Sequence, residues 1–176
     1  MLIAALEESV AVSSALDLGD LDRFTVGTEG PVGERVFLLQ CQRGSSLLTL
    51  KAEKQQVSVL AEYLARVLAD LAAPGELPEA TELEQPTEPH WVVGTLGVTY
   101  DETLDRIVLV AEELVGEDED GDMARFMITR EQAAAFAIRA TTLVKAGRPP
   151  CPLCGGPLDP SGHRCPRTNG HRPPIT

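Results

Sequence analysis

Three of the chain's four cysteines and two of its three histidines fall within one stretch near its end, CPLCGGPLDPSGHRCPRTNGH, from Cys151 to His171. Cys151 and Cys154 set two thiols three positions apart, and Gly155 and Gly156 behind them let the backbone turn back around an ion. Structural zinc takes four nitrogen or sulfur ligands in a tetrahedron at ~2.0–2.3 Å. Cys165 is a third ligand, and His163 and His171 compete to be the fourth. His163 is preferred, because residues two apart in an extended segment face the same side and His163 and Cys165 can then converge on one ion. The implied cofactor is a structural Zn2+, with all four positions filled by protein and none left for water.

Two other chemistries fit the spacing less well. A redox dithiol sits where a strand leads into a helix whose N-terminus stabilises the thiolate, and Gly155, Gly156 and Pro157 oppose a helix here. A disulfide framework suits a secreted protein and leaves an odd cysteine in the tail. Cys41 lies in an apolar run and reads as a small buried hydrophobe. The tail has fewer than 30 residues and little apolar content, so metal binding has to supply its folding energy, on the order of ~10–16 kcal/mol in small zinc modules.

The stretches DRFTVGTEG, EKQQVSVLAEYL and above all AGRPPCPLCGGPLDPSGHRCPRTNGHR resemble an actinobacterial family known only as a conserved domain of unknown function, over about residues 20 to 172. The resemblance implies Cys151, Cys154, His163 and Cys165 as ligands, the position of His171 being an aromatic in some relatives. It implies no activity. Similar proteins are often encoded near a histidine-phosphatase-like and a kinase-like protein, and the stretch from Met1 to Leu18 is longer here than in the family.

The elements that position this tail come next. Residues from 148 onward hold four arginines (Arg148, Arg164, Arg167, Arg172) against Asp159, so the tail is net +3 within a chain of net charge −12. An acidic body of −15 repels a phosphate backbone, and no aromatic platform accompanies the tail's cations, so nucleic acid is a disfavoured partner. Hydrophobic residues are 43% of the chain but aromatics only 4%, which predicts an aliphatic core. Met1 to Leu18 carries Glu7, Glu8 and Asp17 and lacks the basic start of a signal peptide, and no apolar run reaches the ~20 residues that span a bilayer. A cytoplasmic protein without a membrane segment is expected. Leu2, Ala5, Leu6, Ser9 and Val10 fit either a short amphipathic helix or a loose arm.

The same unit recurs along the chain. RFTVGTEG from Arg23 matches HWVVGTLG from His90, RVFLLQCQ from Arg35 matches RIVLVAEE from Arg106, and the segment from Ser46 matches that from Asp122, placing Gln56 on Gln132 and Leu60 on Phe136. Each copy reads as three strands and a helix. Thr129 with Gln132, and Glu53 with Gln56, have the spacing of helix-capping boxes. The expected fold is therefore α+β: two tandem βββα repeats about a pseudo-twofold axis, a mainly antiparallel sheet with two helices, and a small zinc-ribbon-like tail. The expected boundaries are an N-terminal arm over 1–20, repeats over 21–73 and 90–147, a Pro/Glu-rich surface linker over 74–89, and the tail over 148–176. GEDEDGD from Gly116 reads as a solvated hairpin tip, since its acids do not follow the order of a calcium loop.

The pairs Gly27-Thr28 and Gly94-Thr95 could line a symmetric ligand cleft with Arg35 and Arg106 as anion clamps, or mark places where strands bend or pack closely. Two function classes follow. One is a binding or adaptor module with a protein partner. The alternative is a small enzyme or ligand-binding protein using the cleft, with Glu53, Arg35, Arg106 and the Gly-Thr pairs as its candidate groups. No Ser-His-Asp arrangement or open histidine site is legible, and His90 is the only histidine outside the tail, which favours the first.

Overall fold

The computed structural model describes residues 14–79, 82–158 and 162–168. The amphipathic N-terminal pattern and His171 lie outside those residues. Nine elements precede the tail: β1 (Ala15–Asp20), β2 (Arg23–Glu29), β3 (Val36–Arg43), β4 (Ser46–Ala52), α1 (Lys54–Ala69), β5 (Trp91–Asp101), β6 (Arg106–Glu113), β7 (Met123–Ile128) and α2 (Arg130–Lys145). The fold is α+β, with two helices and a mostly antiparallel sheet of seven strands in the order β1-β7-β6-β5-β4-β3-β2.

Two antiparallel meanders, β2-β3-β4 and β5-β6-β7, meet where β4 runs parallel to β5 through Leu50–Trp91 and Lys51–Val92. At the far edge β7 takes β1 as its own parallel partner. The sequence reading put residues 1–20 in an arm. Ala15–Asp20 is instead a strand, because β7 would otherwise leave a row of backbone donors and acceptors unpaired. The chain passes directly from β1 into β2. Leu21 N donates to Met127 O of β7 at 2.9 Å, and Asp22 N donates to Gln42 O of β3 at 2.9 Å. One continuous stretch thus lies on β7 with its first half and on β3 with its second, joining the two ends of the sheet.

Both helices start alike. Thr129 N donates to Gln132 Oε1 at 2.9 Å while Thr129 Oγ1 accepts from Gln132 N at 3.2 Å. In α1, Glu53 N donates to Gln56 Oε1 at 2.8 Å. The leftover amide nitrogens reach across: Gln56 Nε2 donates to the Val93 and Gly94 carbonyls of β5 at 3.1 Å, and Gln132 Nε2 donates to Leu21 O at 2.9 Å. The capping glutamine of α1 therefore pins its helix to β5, and that of α2 pins its helix to the connection between β1 and β2.

Alternation sets which face is covered by what. Phe37, Leu39 and Cys41 of β3, with Leu48, Leu50 and Ala52 of β4, face the helices and belong to one core with Val57, Leu60 and Leu64 of α1 and Ala133, Phe136 and Ala140 of α2. All four phenylalanines are buried. Phe24 stacks on Phe136 at 4.5 Å between centroids and meets Phe126 at 5.3 Å, so the core is aliphatic with an aromatic knot at its centre rather than aliphatic throughout. Scarcity of aromatics in the composition says nothing about where the few present gather.

Over β2, β3 and β4 the opposite face is covered as well, while Thr95 and Thr99 of β5 are exposed. Thr25, Gln40 and Thr49 stand side by side across β2, β3 and β4, and all three are buried. Gln40 accepts from Glu84 N at 2.8 Å and donates to Glu84 O at 2.7 Å and to Thr49 Oγ1 at 3.1 Å. His90 N donates to Thr49 O at 2.8 Å. The Pro/Glu-rich segment expected as a surface linker thus contributes part of the sheet's cover, because buried polar side chains need partners and its backbone supplies them. Among the described residues no helix is long and apolar enough to cross a membrane.

Candidate metal centre

The second helix ends at Lys145 with its cap at Ala146, and the prolines that follow prevent its continuation. A short ribbon begins there. Leu158 N donates to Pro149 O at 2.8 Å, Pro150 bridges to Pro157, and Cys151 N donates to Gly156 O at 2.7 Å. At the tip Gly155 N donates to Cys151 O at 2.8 Å, with Gly155 at φ +72° and open space where a side chain would stand. A side chain there would be strained in this left-handed conformation, which glycine adopts freely. The tight turn aims the Leu153 and Cys154 amides at the Cys151 sulfur.

The return limb brings His163 and Cys165 alongside. The ligand atoms of Cys151, Cys154, His163 and Cys165 all lie within 4.8 Å of one another, and Cys154 Sγ is 3.6 Å from His163 Nε2. That separation matches the edge of a tetrahedron built on metal bonds of ~2.0–2.3 Å. His163 Nδ1 lies 2.9 Å from the Pro157 carbonyl oxygen. A carbonyl only accepts, so Nδ1 carries the proton and Nε2 keeps its lone pair turned to the thiols, the usual way an outer partner orients a metal-binding imidazole. Nothing in the sequence named Pro157 as that partner.

The electrostatics suit a cation. The Leu153 and Cys154 amides, then the neighbouring thiols, pull the Cys151 thiol down to about 6 against its burial. For Cys165 burial pushes upward, but the His163 imidazole and the Arg167 amide outweigh it and its thiol falls below the ordinary value. His163 is raised, first by its hydrogen bond with Cys165 and then by the Pro157 carbonyl. Gly156 N–H favours the Cys154 thiolate, yet burial and the two other sulfurs raise that thiol. Three crowded sulfurs cannot all ionise by themselves, and a metal cation removes that conflict, since a coordinating thiol is deprotonated outright. All four cysteines are free of disulfides, and buried Cys41 is pushed far up by desolvation.

The other candidate residues are dispersed. A methyl added at Gly27 would overlap the Leu83 side chain, and one at Gly94 would lie 3.0 Å from the Leu114 backbone, so both glycines are places of close approach. Thr28 is half-buried and Thr95 exposed. Arg106 binds Asp20 at 2.6 Å at one end of the sheet. Arg35 instead lines a cavity with Lys54 and Arg148. Glu53 is exposed at the start of α1.

Fold and site together define an α+β protein carrying a three-sulfur, one-imidazole cluster able to bind a metal ion. Residues 17–165 match the family described as protein of unknown function (DUF3090), and the chain belongs to that family. No curated protein and no solved structure matches it.

Proposed function

We propose that Cys151, Cys154, His163 and Cys165 hold a structural zinc ion, and that the chain is a cytoplasmic, non-enzymatic binding or adaptor module whose basic ribbon makes a contact with a protein partner. The observation that carries the metal reading is a complete donor set within 4.8 Å whose imidazole already presents Nε2. Soft thiolates with imidazole suit zinc and exclude the hard oxygen-seeking cations, and four protein donors leave no open position for a reacting water. Free thiols of this kind persist in a reducing compartment. Tandem duplication of the βββα unit about a pseudo-twofold axis is supported by three features. These are the two 16-residue helices, the glutamine at the third position of each, and the parallel partner on each unit's third strand.

The test is metal content by mass spectrometry in the purified chain and in the Cys154→Ser, Cys165→Ser double variant. One zinc per chain that disappears in the variant is expected. Equal content in both, or a metal other than zinc, refutes the assignment. Chelation is further expected to unfold the tail while the body keeps its thermal transition, because the main core cluster contains no tail residue. Capture of a partner by the full chain but not by a chain ending at Gly147 would support the adaptor role, and identical capture would reduce the ribbon to a staple.

A further inference from the structure

Five arginines of the body (Arg23, Arg106, Arg125, Arg130 and Arg139) each face a carboxylate within 3.4 Å, as expected where acids outnumber bases 27 to 15. Other cations of the body have no such partner among the described residues, and at one place cations gather around a shared space. A cavity of about 230 Å³ is lined by Gly33, Arg35, Phe37, Lys54, Gly147 and Arg148, three cations and, among the described residues, no acid. Among the described residues neither Arg35 nor Lys54 has a carboxylate at ion-pair distance. Their sequence neighbours Glu34 and Glu53 are exposed and do not line the space.

The three cations come from separate parts of the fold. Arg35 follows the β2–β3 loop, and its guanidinium lies 6.0 Å over the Phe37 ring. Lys54 is the first residue of α1, where the helix's own N-terminal dipole adds positive potential. Gly147 and Arg148 lie between α2 and the metal-binding ribbon. A single point beside the Gly147 Cα lies 2.9 Å from Lys54 Nζ and 3.8 Å from an Arg35 guanidinium nitrogen, so both cations face the same small space. Arg148 crosses Gly33, its Nε 3.3 Å from where a side chain would begin.

We propose that this cavity binds the phosphate group of a small phosphorylated molecule. Holding the Arg35 and Lys54 charges around one space costs repulsion that a bound dianion removes, and guanidinium groups pair with phosphate oxygens in a two-pronged geometry. The cavity lies below the ~300–1,000 Å³ of pockets for drug-sized ligands, which selects a small phosphomonoester over a nucleotide-sized molecule. The acidic body around it repels a polyanion such as nucleic acid.

The proposal goes beyond the metal reading and is tested apart from it. Inorganic phosphate and glycerol 3-phosphate are titrated into the metal-loaded full chain by calorimetry, against sodium chloride at matched ionic strength. Both should bind. Arg35→Gln and Lys54→Gln should each weaken the Kd by roughly tenfold or more, while Arg125→Gln, at another edge, leaves it unchanged and zinc content stays the same in all. Thermal unfolding without ligand checks that the variants fold. Because Lys54 is exposed, Lys54→Gln carries the test should Arg35→Gln fail that check. Absence of binding above chloride, or wild-type affinity in Lys54→Gln, overturns the site. Tighter binding of a single-stranded oligonucleotide than of glycerol 3-phosphate overturns the small-molecule assignment.

Discussion

Replacing Gln40 by Leu should detach the segment around Glu84 from the sheet. Gln40 is 1% exposed, and its amide makes three hydrogen bonds, two to the Glu84 backbone and one to Thr49 Oγ1. Leucine nearly matches the volume, so the loss is one of polar pairing and not of packing. Each bond contributes a net ~1 kcal/mol, and a buried group left without its partner costs ~1–3 kcal/mol. Glu84 recovers part of this from water, being exposed; the buried Thr49 hydroxyl does not. The expected loss is about 2–4 kcal/mol, or roughly 5–15 °C in Tm for a chain of this size. Urea unfolding followed by circular dichroism gives the first number. Hydrogen exchange should show faster exchange at residues 82–90 with the core strands unchanged. A loss below ~0.5 kcal/mol, the level of an ordinary surface change, with unaltered exchange there, would refute the reasoning.

Gly27→Ala pushes a methyl into the Leu83 side chain from the sheet side; a loss of ~1–3 kcal/mol is expected, and urea midpoints equal to the parent would show that Leu83 does not pack there. Glu131 accepts from Gly75 N at 2.8 Å, and this hydrogen bond first, then its neighbours, holds its carboxyl below the usual value. A depressed carboxylate stabilises above its unfolded pKa of ~4.3 and loses that contribution as pH falls through the folded value. Glu131→Gln should therefore flatten the fall in stability on acidification by under ~1 kcal/mol, since solvent still reaches this half-buried group and screens it, and a fall as steep as the parent's would refute the contribution.

The Cys/His cluster was legible because its members are close in sequence. Cys151 and Cys154 sit on one turn, with His163 and Cys165 two apart on the return limb, and all four come within 4.8 Å of one another. The helices were legible from their apolar period and from the Thr129–Gln132 and Glu53–Gln56 signals. The role of Ala15–Asp20 was not, since six residues with an alternating pattern become a strand only where β7 offers an unpaired edge. The cover formed by Leu83 to Thr87 was likewise hidden: a proline- and glutamate-rich composition looks solvated until Gln40, 44 positions earlier, takes up its backbone.

Local chemistry therefore came from the sequence by itself: a turn of sulfurs and glycines, two capped helices, and strands whose alternation marked one face as core. What converged from afar was decided only in three dimensions. Arg35, Lys54 and Arg148 meet because the β2–β3 loop, the start of α1 and the exit from α2 end at one corner. The Ala15–Glu29 stretch joins the sheet's two ends because β7 and β3 both expose backbone groups that must be paired. Hydrogen bonds and like charges act over a few ångströms of space, and chain order does not record which distant residues folding will place within that range.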